Sequence, residues 1–240
     1  MPEAAAIPAL LSAAPARVKL MMEKSMATKT KPTDVEAAAI PDTDSLEILH
    51  KAAATCQACP LYKNATHVVF GEGSPRSTLV LLGEQPGNKE DLSGHPFVGP
   101  AGQLMNRALA EAGIDRRLAY VTNSVKHFKW EGTWKRRLHK KPSEREITAC
   151  RPWLEAEMRI VAPKILVCLG ATAAQNVLGR EVRVLRDRGQ FFLSEFAPHT
   201  FITVHPSSLL RAPDEESRAR AYTQFVSDLR LVAQQLNALP

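Results

Sequence analysis

The sequence predicts an α/β domain whose mostly parallel sheet is covered by helices on both faces. Four apolar runs of strand length are separated by segments with apolar residues at helical spacing, and such alternation is typical of parallel sheets. The chain has 240 residues, of which 45% are hydrophobic and 23% charged, an ordinary globular composition. No apolar run approaches the roughly 18–20 residues that a membrane-spanning helix needs, so we expect no membrane partner.

The first part of the chain differs in composition from the rest. Residues 1–43 are rich in Ala, Pro, Thr and Lys and lack sustained periodicity, which predicts a mobile N-terminal tail. Residues 44–240 form the predicted folded domain. Its first helix is expected to begin near Ser45, after the candidate N-caps Asp42 and Asp44.

Strands are predicted where a continuous apolar run ends abruptly in glycine or polar residues. Residues 189–193 are expected to add a further strand or hairpin. The four main strands are predicted at 77–84, 118–123, 164–170 and 200–204.

Helix boundaries are indicated by capping residues. Pro100 and Gly113 delimit one helix, and Ser143 with Glu146 forms a capping box for another, which Pro152 is expected to kink or divide. Two further helices are predicted at 171–179 and 214–237.

Polar clusters follow the predicted strands at the points where the strands end. In parallel sheets the carboxyl ends of the strands meet at one edge, where ligands bind, so we expect a site there. The clusters are Glu84-Gln85, Asn123, 170–172 and 205–208.

The positive charge of the chain is concentrated in one segment. The formal net charge is +6, and residues 126–141 contain seven basic residues against the single acid Glu131. The rest of the chain is balanced. A local basic loop predicts a polyanionic partner.

Four cysteines indicate a metal site. Cys56 and Cys59 form a C-x-x-C pair, and Cys150 and Cys168 complete a set of four thiols. Nothing in the sequence supports secretion, so disulfides are disfavoured. The spacing alone does not separate zinc from a [4Fe–4S] cluster.

Seven motifs occur in order along the chain: CQACPLY, GEQPG, GHPFVGPAGQL, YVTNSVKHF, ACRPWL, LGATAA and HPSSLLR. Together they resemble the iron–sulfur uracil-DNA glycosylases, in the manner of family 4. The resemblance runs from about Ser45 to the end of the chain. It implies a three-layer α/β/α sandwich around a four-stranded parallel sheet, and a structural [4Fe–4S] cluster held by Cys56, Cys59, Cys150 and Cys168.

Two features are similar to the UdgX subtype, which excises uracil and stays covalently attached to the abasic site through a loop histidine. These are GEQPG at 83–87 and KRRLH at 135–139, although Asn88 follows GEQPG where an acid is expected. The resemblance implies that Glu84 stabilises the oxocarbenium-like sugar and that His139 attacks C1′. Five nearby cations are expected to keep the His139 ring neutral.

The remaining site residues follow from the same resemblance and the chemistry of base excision. Phe97 is expected to stack on the flipped uracil, and Asn123 is expected to hydrogen-bond its N3–H and O4. Gln85 is expected to add a contact in the pocket, and His205 is expected to donate a hydrogen bond to O2. Phosphates of the DNA are expected to contact six residues: Lys135, Arg136, Arg137, Ser207, Ser208 and Arg211.

Three functions remain open on the sequence. The favoured one is a single-turnover glycosylase that crosslinks to uracil-containing, preferentially single-stranded DNA and releases free uracil. A hydrolytic glycosylase that uses Glu84 to activate water is the second, and a non-catalytic iron–sulfur DNA-binding protein is the third. We expect a cytoplasmic, nucleoid-associated monomer.

Overall fold

The computed structural model describes residues 37–239, and their central element is a five-stranded sheet with the strand order β2-β1-β5-β7-β6. Four of these strands are parallel, and the two-residue β6 pairs antiparallel with β7 at the edge. The expected four-stranded sheet is therefore corrected to five strands. The strands are β1 (Leu79–Gly83), β2 (Ala119–Asn123), β5 (Ile165–Leu169), β6 (Phe191–Phe192) and β7 (His199–Thr203).

A separate hairpin occupies most of the segment that the sequence assigned to a basic loop. Its strands, β3 (Trp130–Thr133) and β4 (Arg136–His139), pair antiparallel so that Trp130 lies opposite His139. Charged residues outnumber apolar ones here, so no apolar run marks these strands in the sequence. Tertiary contacts described below hold the hairpin in place.

Helices flank both faces of the sheet. The predicted helices are confirmed, and three short ones, α2, α6 and α7, were not predicted. The helices are α1 (Leu46–Ala53), α2 (Asn88–Ser93), α3 (Pro100–Glu111), α4 (Glu144–Val161), α5 (Ala171–Leu178), α6 (Val184–Asp187), α7 (Pro206–Leu210) and α8 (Glu215–Asn237).

The apolar core lies on the two faces of the sheet. On β1, Leu79 and Leu81 pack with α3 and α8, whereas Val80 and Leu82 pack with α4 and α5. Successive side chains of a strand point to opposite faces, so a fully apolar strand can serve both cores. This arrangement is the expected α/β layering.

Helix α4 runs through Pro152 without a break, so the expected division of this helix is wrong. The capping box predicted for its start is confirmed, because Ser143 Oγ accepts from the Glu146 N–H and Glu146 Oε2 accepts from the Ser143 N–H. Burial of Ala149 and Trp153 on either side of the proline holds the helix against the core.

The N-terminal boundary of the described chain packs on the domain. The Ala38 N–H donates to the Ala149 carbonyl, and Ala38 itself is buried. Helix α1 is capped by Ser45 rather than by Asp42 or Asp44. The remainder of the proposed mobile tail, residues 1–36, lies outside the described residues. Between residues 37 and 239 no helix has the length and apolarity needed to cross a membrane.

Candidate active site

The carboxyl ends of the parallel strands bring together the polar residues that follow them. Gly83 lies opposite Asn123 in the β1–β2 register. Glu84 accepts a short hydrogen bond from Thr172 Oγ1, which joins the end of β1 to the start of α5 after β5. The sequence placed these groups at one edge, and the structure confirms that they meet there.

His139 at the end of the hairpin faces Glu84 across this edge. The His139 Nε2 atom lies 3.6 Å from Glu84 Oε1, a distance too long for a hydrogen bond. The His139 side chain is 52% exposed and that of Glu84 is 23% exposed, so both are open to a ligand. A carboxylate and an imidazole thus share one accessible cleft.

Gln85 determines which nitrogen of His139 carries the lone pair. Gln85 Oε1 accepts from the Lys129 N–H at 3.0 Å, and Gln85 Nε2 donates to the Lys140 carbonyl at 2.9 Å. These two backbone partners fix the orientation of the amide. The second hydrogen of the Gln85 amide has two acceptors within reach, His139 Nε2 at 2.8 Å and the Lys129 carbonyl at 3.4 Å. Because an amide nitrogen does not accept, the closer contact requires an unprotonated Nε2 on His139.

The pKa of His139 lies below its ordinary value of 6.5. Burial is the largest cause, Glu84 opposes it, and the nearby positive charge of Arg211 lowers the pKa further. The direction agrees with the expectation of a neutral ring. The cause differs, because desolvation dominates rather than the neighbouring lysines and arginines of the hairpin.

Phe97 and Asn123 crowd around the end of β1. Phe97 adopts a left-handed backbone conformation with φ of 57° and is buried. A Cβ atom on Gly83 would meet Asn123 Oδ1 at 2.3 Å and Phe97 Cζ at 2.8 Å. Only glycine therefore allows both side chains to approach this strand end, where a planar ligand would meet a ring and an amide.

His205 follows β7 and caps helix α7. Its Nδ1 accepts from the Ser207 N–H at 3.1 Å, so in the neutral ring the proton resides on Nε2. Burial, with smaller contributions from Arg211 and His139, lowers the pKa of His205 to about 4. The ring is thus a neutral donor, and it stacks near Phe97 with ring centroids 6.4 Å apart.

Three of the expected phosphate-binding residues lie beside His205. Ser207 Oγ accepts from Arg211 at 3.1 Å, and Ser208 Oγ donates to the His205 carbonyl. Ser208 and Arg211 are exposed next to the cleft. Their position is compatible with contacts to a bound polyanion.

Arg137 is not available for phosphate binding, which corrects its expected role. Its side chain is 3% exposed, and its Nη1 donates at 2.6 Å to Oδ2 of Asp91, which is fully buried. The guanidinium also lies within 5.6 Å of the ring centres of Phe128, Trp130 and Trp134. Arg137 is therefore the residue that fastens the hairpin to helix α2.

Other cations of the basic segment are also engaged. Lys126 is buried and pairs at 2.5 Å with Glu157, while its Nζ donates to the Asn123 carbonyl at 2.8 Å. Lys129 and Lys140 pair with acids as well. Within residues 37–239, the cations of this segment that are exposed and lack an ion pair are Lys135, Arg136 and Lys141.

Sequence reasoning missed a residue that holds two site loops together. The buried carboxylate of Glu90 on α2 accepts from the Gly87 N–H at 3.1 Å and from the Gly99 N–H at 2.7 Å. It thereby links the loop of Gln85 to the loop of Phe97. An acid three residues after the glycine of GEQPG was a capping signal that could have identified it.

Three of the four cysteines surround one small cavity. Cys56, Cys59 and Cys150 line it together with His127, and Cys168 does not. Cys168 lies in the central strand β5 within the separate core beneath α4 and α5. The expected set of four thiols is therefore corrected: a buried imidazole, not a fourth thiol, faces the other three.

The donors around this cavity suit a metal cluster in several respects. The Trp153 Nε1–H and the Lys126 N–H both donate to cysteine sulfurs, those of Cys56 and Cys150, at 3.2 Å. Burial lowers the pKa of His127 to about 4, which leaves the ring neutral, as ligation requires. Among the described residues no three such side chains lie close enough for a single metal ion, whereas a polynuclear cluster holds its ligands further apart.

A family model and several curated relatives identify the family of this chain. A family model described as the uracil DNA glycosylase superfamily matches residues 70–230. A type-4 uracil-DNA glycosylase of Thermotoga maritima is 37% identical over 174 residues, which are 72% of this chain and 87% of the relative. A type-4 uracil-DNA glycosylase of Pyrobaculum aerophilum is 34% identical over 175 residues, covering 70% of this chain and 86% of the relative.

Removal of Arg137 should release the hairpin. Arg137→Ala leaves Asp91 buried without its charged partner, and breaking a buried pair typically costs about 3–5 kcal/mol. We expect the amides of residues 130–139 to exchange hydrogen at least tenfold faster, as measured by exchange mass spectrometry. Arg136→Ala, on the same strand but exposed, is the control and should leave exchange unchanged. Equal protection in both variants would contradict the anchoring role.

Proposed function

The chain belongs to the uracil-DNA glycosylase superfamily, and we propose that it excises uracil from DNA and then links covalently to the abasic site through His139. We further propose a preference for single-stranded DNA and action as a monomer. The observation that carries the covalent step is the lone pair of His139 Nε2, held by Gln85 in a cleft 3.6 Å from Glu84.

Uracil recognition is assigned to Phe97 and Asn123. The Phe97 ring stacks on the flipped base, an interaction worth about 1–3 kcal/mol per base. The Asn123 side-chain amide accepts from N3–H and donates to O4. Cytosine presents the opposite pattern and would leave the amide unpaired, which gives discrimination. In support, Asn123 is 2% exposed at the strand end, and its backbone carbonyl accepts a hydrogen bond from Lys126 Nζ.

His205 assists departure of the base. As the C1′–N1 bond breaks, its electron pair moves into the uracil ring and charge develops on O2. The neutral imidazole donates its Nε2–H to that oxygen, because Nδ1 is occupied by the Ser207 N–H. The released uracil anion then takes a proton from water.

Glu84 and His139 act on the sugar. The carboxylate of Glu84, oriented by Thr172, stabilises the oxocarbenium-like C1′ electrostatically. His139 exchanges its hydrogen bond from Gln85 for a bond between Nε2 and C1′, and the ring then loses its Nδ1 proton to solvent. The imidazole–C1′ bond has no easy leaving step, so the enzyme turns over once.

The cavity of Cys56, Cys59, Cys150 and His127 is proposed to hold a [4Fe–4S] cluster. When bound, the cluster supplies structural cross-linking rather than chemistry at the base. These residues come from the segment after α1, the loop after β2 and helix α4, so they would join three parts of the chain. His127 directly follows Lys126, whose Nζ donates to the Asn123 backbone carbonyl, so the proposed cluster would lie one residue along the chain from a contact of the proposed uracil pocket.

A denaturing gel tests the covalent step. Wild-type protein incubated with a uracil-containing single-stranded oligonucleotide should give a band that resists boiling in detergent. His139→Ala removes the nucleophile, so the band should disappear while free uracil and an abasic strand are released. Leu185→Ala, at an 87% exposed position, serves as the control.

Other results of the same gel assign the function differently. Multiple turnovers with free abasic DNA from the wild type would establish a hydrolytic enzyme. An oligonucleotide that stays unaltered with every variant would leave a DNA-binding protein without catalysis.

The pH dependence should report a histidine that stays neutral in mild acid. Because burial lowers the pKa of His139 below 6.5, the crosslinking rate should fall to half of its plateau value only below pH 6.5. NMR titration of the free protein provides a second measurement: Glu84→Gln should lower the pKa of His139 further, since the carboxylate raises it. A rate that halves at or above pH 6.5 would contradict this assignment.

Iron content tests the ligand set. Cys168→Ala should retain the iron and the visible absorbance of the purified wild-type protein, because Cys168 does not line the cavity. Cys150→Ala and His127→Ala should lose most of both. Loss of iron in Cys168→Ala with the fold intact by circular dichroism would restore the four-cysteine set.

A further inference from the structure

An open cavity lies between the tip of the hairpin and helix α2. Its volume is about 310 Å³, and none of the uracil-pocket residues lines it. We refer to it as the hairpin-tip cavity. The lining residues are Asn88, Leu92, Trp134, Lys135, Arg136 and Arg137.

The apolar wall of the hairpin-tip cavity is exposed but held in place. Trp134 is 66% exposed and Leu92 is 54% exposed, so two large apolar side chains face solvent together. The Trp134 ring meets Trp130 edge-on at 5.2 Å, and the guanidinium of Arg137 lies 5.5 Å from its centre. The indole is thus positioned by its neighbours while much of its surface is uncovered.

The rim of the hairpin-tip cavity is positively charged. Lys135 and Arg136 are exposed and form no ion pair with any residue between 37 and 239. The nearby acid Glu131 is already paired with Lys140. An aromatic face beside unpaired cations is the combination that binds a single strand, since the base stacks and the phosphate pairs with the cations.

The distance from the hairpin-tip cavity to the proposed reaction centre matches the spacing of nucleotides. Arg136 and His139 are three residues apart on β4, which corresponds to about 10 Å at 3.4 Å per residue. One strand of stacked DNA advances about 3.4 Å per nucleotide, so no more than about three nucleotides separate the two sites.

We propose that the hairpin-tip cavity is a second nucleotide subsite. It binds a base of the same DNA strand, one to three nucleotides from the uracil, stacked on Trp134 with its phosphate beside Lys135 and Arg136. The subsite is sequence-tolerant, because every base has a face that can stack. This inference takes the DNA substrate from the proposed function, but binding at the subsite does not require excision.

Oligonucleotide length separates a subsite from a structural role of Trp134. Two series of uracil oligonucleotides are shortened stepwise from the 5′ side or from the 3′ side of the uracil. With enzyme in excess at subsaturating concentration, Trp134→Ala should slow uracil release about tenfold on long oligonucleotides. The defect should vanish in one series once the nucleotides that reach the tip are removed. Trp134→Phe, which keeps an aromatic face, should behave like the wild type.

Fluorescence provides a measurement that does not depend on catalysis. A uracil-free oligothymidylate should quench the tryptophan emission of the wild type. Trp134→Phe should bind with similar affinity but lose most of that quenching, and Trp134→Ala should bind about tenfold more weakly. The double variant Lys135→Ala/Arg136→Ala should reduce the slope of log affinity against log salt by about 1.4, at 0.7 for each phosphate contact.

The outcomes distinguish the two proposals. A Trp134→Ala defect that is equal on long and short oligonucleotides would show a structural role and overturn the subsite. No defect on any oligonucleotide, with excision intact, would also overturn it. A wild type that binds and is quenched but excises nothing would overturn the proposed function and leave the subsite standing.

Discussion

The buried ion pair between Arg137 and Asp91 is the contact on which the arrangement of the cleft depends. The hairpin has few apolar residues of its own, and isolated two-stranded hairpins are marginal in water. Because Asp91 is fully buried and Arg137 almost so, separating them would leave a buried charge without its charged partner. This penalty favours one position of the hairpin. His139 is the last residue of β4, the strand that Arg137 anchors, so the ion pair also determines where His139 lies.

Helix α2 connects this anchor to the rest of the cleft. Two adjacent acids of this helix have different partners. Asp91 pairs with Arg137 of the hairpin, whereas Glu90 accepts from the Gly87 and Gly99 N–H groups in the loops of Gln85 and Phe97. Asp91 also accepts from the Thr66 N–H, and its charge raises the pKa of His127, which lines the cysteine cavity, against the effect of burial. This six-residue helix therefore contacts the hairpin that carries His139 and the loops of Gln85 and Phe97.

The sequence predicted the strands and helix caps, which depend on residues close together in the chain. It could not predict which side chains are buried or paired by residues distant in the chain. Buried parallel strands such as β1 are continuous apolar runs, and Ser143 caps its helix through neighbours three residues away. Arg137 and Arg136 look alike in the sequence, and only the fold buries one of them. Similarly, the sequence shows four cysteines as one set, and only the fold separates Cys168 from the cavity that the other three line with His127.

The cleft contains two histidines whose pKa is lowered mainly by burial, and in the proposed mechanism the hydrogen bonds that each accepts give them opposite roles. The Ser207 backbone donates to Nδ1 of His205, which leaves Nε2–H as a donor for a developing anion. The Gln85 amide donates to Nε2 of His139, which leaves a lone pair for an electron-poor carbon. Exchanging these tautomers would leave the proposed nucleophile without a lone pair and the proposed donor without a proton. In the proposed mechanism, two hydrogen bonds within the protein thus separate the acidic role of His205 from the nucleophilic role of His139.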